Sequence, residues 1–244
     1  MQDLLGREGW RVNHKAIRHV WREEGLRVPH HRRKRRRTGD STSGITRMQC
    51  ARKNDVWSMD FIFDRTVDGR QVKIFAIIDE YTRECLSLNV SRHFQACDAV
   101  VVLDELIARR GAPAHLRSDH GPEFVAATVS NWCKECKTVA LFIEPGAPWQ
   151  NALVESFNSR IRDELLSSEV FESLAEATYL VGRWRDDYNR QRPQRALGKR
   201  TPAEFAAACD EAASFRLASL ASTAPPREMK GPTSMVPTLN LGPF

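Results

Sequence analysis

The chain has 244 residues, room for one good-sized domain and a smaller one, and 41% of them are apolar, an ordinary share for a soluble protein. Its formal charge of +6 is unevenly placed: residues 1–55 carry 15 Lys and Arg against 6 Asp and Glu, a net of +9, and residues 56–244 net −3. With no run of eighteen apolar residues and no apolar stretch behind a basic start, the sequence argues against a membrane span or a secretory signal, and its basic front points to a polyanion, nucleic acid before membrane.

Residues 1–29 read as a small helical segment. Leu4 to Gly9 has the look of a helix end, followed by a turn as far as Val12. Asn13 is a natural N-cap and Gly25 a suitable stop for a helix over 13–25, in which Ile17, Val20 and Trp21 recur at helical spacing. His14, Lys15, Arg18 and Arg22 fall outside that stripe, where a recognition helix offers donors to a major groove; a small solvated amphipathic helix is the plainer reading. Residues 30–54 read as a basic linker. Its core, Arg32, Arg33, Lys34, Arg35, Arg36 and Arg37, is self-repelling and extended, suited to neutralising phosphates and releasing their counterions, with a merely solvated linker as the alternative.

A second domain is expected over 55–170. Val56 to Asp64 alternates as a strand does, with Trp57, Met59, Phe61 and Phe63 on a core face and Ser58, Asp60 and Ile62 on a more polar one. Asp68-Gly69 is a hairpin turn into a buried strand over 72–78, and Glu84 to Val90 makes a third strand. A helix over 97–109 closes at Gly111, and a short strand follows at His115 to Ser118 with Asp119 just beyond it. Pro122 suits the first turn of a helix running to about Lys137, and Thr138 to Ile143 is a fifth strand. This order predicts an α/β, ribonuclease-H-like fold: a mixed five-stranded sheet with flanking helices.

The next helix has Val154, Phe157, Ile161 and Leu165 as its buried stripe, while Asn151, Glu155, Asn158, Ser159 and Arg162 share another face. That face suits a metal site crossed by a phosphate backbone; a solvated polar face is the bland alternative. Residues 171–221 read as C-terminal helices, the first opened by a capping box of Ser173 and Glu176 and the last by Thr201, Pro202 and Glu204. Residues 222–244 have little periodicity and read as a disordered tail. The six cysteines read as reduced thiols; Cys133 and Cys136 form a C-x-x-C, for which buried thiols are favoured over a zinc site shared with His14 and His19.

Three carboxylates on separate elements, Asp60, Asp119 and Glu155, are what hard cations require. Asp79 also ends a strand and is their best rival, though Asp79-Glu80-Tyr81-Thr82-Arg83 reads better as an ordered turn. The three acids, with 35 residues between Asp119 and Glu155, resemble the DDE transposases and retroviral integrases. The words Trp57-Ser58-Met59-Asp60, Ser118-Asp119-His120-Gly121-Pro122-Glu123-Phe124, Glu155-Ser156-Phe157-Asn158, Tyr188-Asn189-Arg190-Gln191-Arg192-Pro193 and Thr201-Pro202-Ala203-Glu204-Phe205 resemble the second-frame transposase product of the insertion-sequence-three family. His120 stands where that family usually has Asn.

The resemblance implies metal-dependent strand cleavage and 3′-hydroxyl strand transfer at the ends of an insertion sequence. It implies Asp60, Asp119 and Glu155 as ligands of two Mg²⁺ or Mn²⁺, and a front that is part of a helix-turn-helix. Its implied partners are double-stranded DNA (element ends and target), further copies of the chain on DNA, and the upstream-frame product of the same element. Its implied location is the bacterial cytoplasm, at the nucleoid. A nuclease of the same fold without strand transfer, or a DNA-binding relic without catalysis, is the competing expectation.

Overall fold

A computed structural model of the chain describes residues 1–26, 50–119, 127–143 and 148–222. The basic run from Arg32 to Arg37 and the tail beyond Ser222 lie outside the described residues.

Five strands form one mixed sheet in the order β3-β2-β1-β4-β5: β1 (Val56–Arg65), β2 (Gln71–Asp79), β3 (Cys85–Ser91), β4 (His115–Ser118) and β5 (Val139–Phe142). The first three are an antiparallel meander, its first turn admitted by Gly69 at φ +77°. β1, β4 and β5 run parallel, which demands crossovers; the helices α3 (Ala96–Arg110) and α4 (Ala127–Glu135) lie in them. The architecture is the one expected. A capping box of Gln95 and Asp98, which opens α3, went unread in the sequence.

Both faces of the sheet are covered. On one, Trp57, Met59, Phe61, Phe75, Ile77 and Leu116 pack with α3 and α4. On the other, Ile62, Ile74, Ala76 and Ile78 pack with Val154, Phe157 and Ile161 of α5 (Ala152–Ile161) and with Ala177, Val181 and Tyr188 of α6 (Leu174–Arg190). The expectation of one core face and one polar face on β1 is therefore corrected. Ser58 and Ile62 are fully buried because β1 is the central strand, with a layer of helices on either side. Phe63, expected inward, is half exposed near the hairpin end, with the Lys73 ammonium 5.6 Å from its ring.

The domain also begins earlier than its composition suggests. Cys50 to Asn54, assigned above to the linker, are fastened to the body. The Asn54 amide donates to Asp79 at 2.9 Å and its side chain to the Arg110 carbonyl at 2.7 Å, while Asp55 accepts from the amides of Ala51 and Arg52.

The expected capping box at Thr201/Glu204 is present; at Ser173 the hydroxyl caps the helix by accepting from the Glu176 amide, but the Glu176 carboxylate reaches past Ser173 to the Glu172 amide. The Thr201/Glu204 box heads α7 (Pro202–Ser222). At the front, α1 (Gln2–Arg7) and α2 (His14–Glu23) flank a turn at Gly9, and Asn13 caps α2 by accepting from Ala16 at 2.9 Å. Neither helix buries a residue. α1 is seated by ions: Arg7 holds both Glu204 oxygens at 2.8 Å, and Lys199 reaches Asp3 at 2.8 Å. The Arg7 fork and the Thr201 cap hold the Glu204 carboxyl down at about 2.

The Tyr188–Pro193 word serves the sheet. Asn189 donates to the Cys85 carbonyl and accepts from the Cys85 amide, both at 2.9 Å, standing in for a neighbouring strand at the open edge of β3. The Tyr188 hydroxyl accepts from Gln194 at 2.9 Å. Asn189→Ala strips both bonds from a part-buried backbone pair and is expected to cost about 1–3 kcal/mol. Denaturant unfolding checks the loss, and hydrogen exchange at the Cys85 amide should quicken before the rest of the sheet.

Candidate active site

The β1–β4 ladder pairs Val56 with His115, Trp57 with Leu116 and Ser58 with Arg117. Carried two residues further, that register sets Asp119 beside Asp60, and the period of two turns both to the same side of the sheet. Asp60 sits in the middle of the central strand and is largely buried; Asp119, just past the end of β4, is exposed.

Glu155 comes from above, in the first turn of α5, and is exposed. The buried stripe Val154, Phe157, Ile161 and Leu165 holds that helix down as expected. Asn158, three residues after Glu155 and so on the same helical face, donates from Nδ2 to Asp60 Oδ2 at 2.7 Å. This bond fixes the helix that carries one acid against the strand that carries another. The i, i+3 spacing was the sequence signal for it; the burial of Asn158 was not legible.

Burial pushes the Asp60 carboxyl up to about 6, the Phe61 amide opposes this through a 2.8 Å bond, Asp119 and Glu155 add repulsion, and Arg162 offsets part of it. The three acids and the arginine therefore share one field. The side-chain oxygens of Asn151 and Asn158, one turn to either side of Glu155, are buried without a hydrogen-bond partner. Among the described residues no three His, Cys, Asp or Glu side chains yet stand close enough to grip one ion. The donor set is nonetheless all oxygen and mutually repulsive, which fits a hard divalent cation, and the two exposed acids have room to move toward it.

Asp79, the rival, is fully buried and accepts from the amides of Asn54, Tyr81 and Thr82 at 2.9, 2.9 and 3.0 Å; its oxygens are spent on the turn. Of the residues read as DNA contacts, His14, Lys15, Arg18 and Arg22 are exposed on α2, and Ser159 and Arg162 are exposed beside the acids. Asn151 and Asn158 are 4% and 6% exposed, inside the site rather than on its rim. Cys133 packs in the core with Trp132 and Val129, and Cys136 lies against that cluster. His120 lies outside the described residues.

Residues 51–148 and 138–202 match the family described as integrase core domain. The chain is 40% identical over 207 residues to the 31.7 kDa protein of insertion element IS407 of Burkholderia multivorans, covering 84% of this chain and 73% of that one. It is 38% identical over 207 residues to the 39.2 kDa protein of insertion element IS476 of Xanthomonas euvesicatoria, covering 85% of this chain and 59% of that one, so it spans less than two thirds of that relative. The transposase of insertion sequence IS629 of Shigella sonnei is 27% identical, over 83% of this chain and 78% of its own. Among solved structures, the catalytic core of HTLV-2 integrase in complex with magnesium gives a TM-score of 0.52 at 14% identity, covering 64% of this chain and 99% of that one. The core of BIV integrase gives 0.51 at 21%, covering 67% and 99%. At these identities the likeness is one of fold.

The raised Asp60 carboxyl has a consequence for stability without divalent ions. Its proton is held more tightly folded than unfolded, so the charge penalises folding above a pH of about 6, and the penalty fades as pH falls toward 3.8. At full strength it is about 3 kcal/mol. Asp60→Asn, with the Asn158 amide turned to accept, removes the charge. In chelator at pH 7.5 it should unfold at a higher temperature than the wild type, by a margin that shrinks toward pH 4; a margin independent of pH would refute the assignment.

Proposed function

The chain belongs to the integrase-core family of insertion-sequence transposases, and on that footing we propose that it is a DDE transposase that cleaves DNA at the ends of an insertion sequence and joins the freed 3′-hydroxyl to a target. The observation that supports this reading is geometric: the β1–β4 register carries Asp119 to the side of Asp60, and Glu155 lies on the α5 face whose Asn158 bonds Asp60 at 2.7 Å. A bound divalent cation, taken as a pair of Mg²⁺ or Mn²⁺, supplies the charge that activates the attacking oxygen and stabilises the leaving one.

The chain's own part is to hold and aim. Asp60 is pinned by the Phe61 amide and by Asn158, so it would be the fixed ligand, and exposed Asp119 and Glu155 would complete the set. Arg162, whose charge reaches Asp60, and Ser159 stand where a phosphate backbone would pass, with Asn151 and Asn158 lining the floor beneath. His14, Lys15, Arg18 and Arg22 with the run Arg32 to Arg37 supply the remaining DNA contacts. Element ends and target are double-stranded DNA, handled by several copies of the chain, with the upstream-frame product as a further partner. No helix among the described residues is long and apolar enough to cross a membrane, which accords with work at the nucleoid in the cytoplasm.

The test is a Mg²⁺-dependent assay on labelled DNA carrying the element's ends. Asp60→Asn, Asp119→Asn and Glu155→Gln should each lower cleavage and joining by roughly 10²–10³-fold or more, with DNA retention unchanged. Asp79→Asn should lower the unfolding temperature first. Cleavage without joining would make the protein a nuclease of the same fold, and neither reaction would leave a DNA-binding relic. Replacing Arg32, Arg33, Lys34, Arg35, Arg36 and Arg37 by neutral residues should flatten the slope of log affinity against log salt by up to about 0.9 per lost phosphate contact. An unchanged slope would make the run a solvated linker.

A further inference from the structure

A buried ion pair lies directly behind the acids. Ser58 and Arg117 are register partners on β1 and β4, two residues before Asp60 and Asp119 and on the same side of the sheet. The Arg117 side chain is 5% exposed and that of Glu80 1%. Arg117 Nη1 and the Ser58 hydroxyl both donate to Glu80 Oε1, and the Cys50 thiol donates to Oε2 at 3.4 Å. The Glu80 amide donates to the Val56 carbonyl at 3.0 Å. One carboxylate at the end of β2 thus gathers β1, β4 and the segment that enters the domain.

Stability alone does not explain this choice. Apolar residues of similar volume are often as stable as a buried ion pair, and the rest of this face is built from Ile62, Ile74, Ala76 and Ile78. What the pair adds is direction, because a guanidinium donates through a rigid planar fork. Direction matters here because β4 has four residues and its ladder to β1 ends at Ser58 and Arg117, so that beyond that rung it is held by β5 alone, as far as Ser118. Asp119 is two residues past that last rung.

Taking the transposase reading as its basis, we propose that Arg117, held by Glu80, which Ser58 in turn anchors, is a positioning residue for the reaction: it keeps Asp119 beside Asp60 so that one divalent cation can be held by both. It acts through the strand and touches neither cation nor DNA.

The full chain is tested by Mn²⁺ binding, read from the electron paramagnetic resonance of the free ion, alongside unfolding in chelator and cleavage of end DNA. The double variant Arg117→Met with Glu80→Leu removes both charges together. It should unfold close to the wild-type temperature yet bind Mn²⁺ about 10–100-fold more weakly. Arg117→Lys, which restores the charge facing Glu80 without the fork, should recover part of that affinity. Ser58→Ala leaves the pair intact and takes one donor from Glu80, so it serves if the double variant fails to fold: weaker Mn²⁺ binding at an unchanged unfolding temperature supports the inference. Wild-type Mn²⁺ affinity in a folded double variant, or in Ser58→Ala should the double variant not fold, overturns it while leaving the transposase reading in place, provided Asp119→Asn loses the ion. Wild-type protein that neither binds Mn²⁺ nor cuts overturns the transposase reading and this inference together.

Discussion

A carboxylate in the middle of a strand covered on both faces is the constraint from which the rest of this molecule follows. β1 is central because the antiparallel meander lies to one side of it and the parallel crossovers to the other. Asp60 is therefore largely withdrawn from water, in a layer whose other members are mostly aliphatic. Such a group is tolerable only if it is protonated, hydrogen-bonded or matched by positive charge. The chain supplies the second through Phe61 and Asn158 and part of the third through Arg162. The remainder is charge that a cation would neutralise, as proposed above for Asp60 together with Asp119 and Glu155.

This charge explains the division of labour among the helices. α3 and α4 meet the opposite face mainly with apolar groups, and α3 adds Arg110, which pairs with Glu84 at 2.7 Å. α5 packs an apolar stripe onto the sheet and carries Glu155 and Asn158 on an adjoining face, so its height and rotation are set by packing while its chemistry is set by two polar side chains. The C-terminal helix α6 braces that arrangement through the aromatic group Phe157, Trp184 and Tyr188, with Trp184 stacked on Tyr188 at 5.3 Å. The residues beside it, Asn189 and Gln194, serve the sheet edge and the same tyrosine. A stretch with the look of a functional signature is scaffolding for the helix that bears the acid.

The elements with strong periodicity were legible in the sequence. The five strands, the stripe of α5 and the caps at Ser173 and Thr201 announce themselves through alternation, 3.6-residue spacing and capping side chains. The three acids were singled out by their spacing and flanking words. What stayed hidden is what depends on layers closing over one another. Nothing in Val56 to Asp64 shows that its second face will be covered, because the partners of Ile62 lie about a hundred residues away. Asn54 and Asp79 look like ordinary loop and turn residues until their 25-residue separation closes into a 2.9 Å bond. Nothing in the sequence marks Arg117 and Glu80 as a buried pair, since such pairing is a property of the fold and leaves no periodic trace.

The front of the chain stands apart in kind. α1 and α2 bury nothing, and α1 is tied to the body by the Arg7–Glu204 and Lys199–Asp3 pairs and by Arg7 donating to the Lys199 carbonyl. Helices of six and ten residues are marginal by themselves, and exposed ion pairs add little. The pair of helices is thus a low-stability foldon on a well-packed body, able to open and reclose many times for each global unfolding event. Its conformational freedom is surrendered only when something covers it. Whatever this front binds is therefore bound with the entropy of ordering already subtracted, which favours rapid release and a partner engaged transiently within a longer reaction cycle.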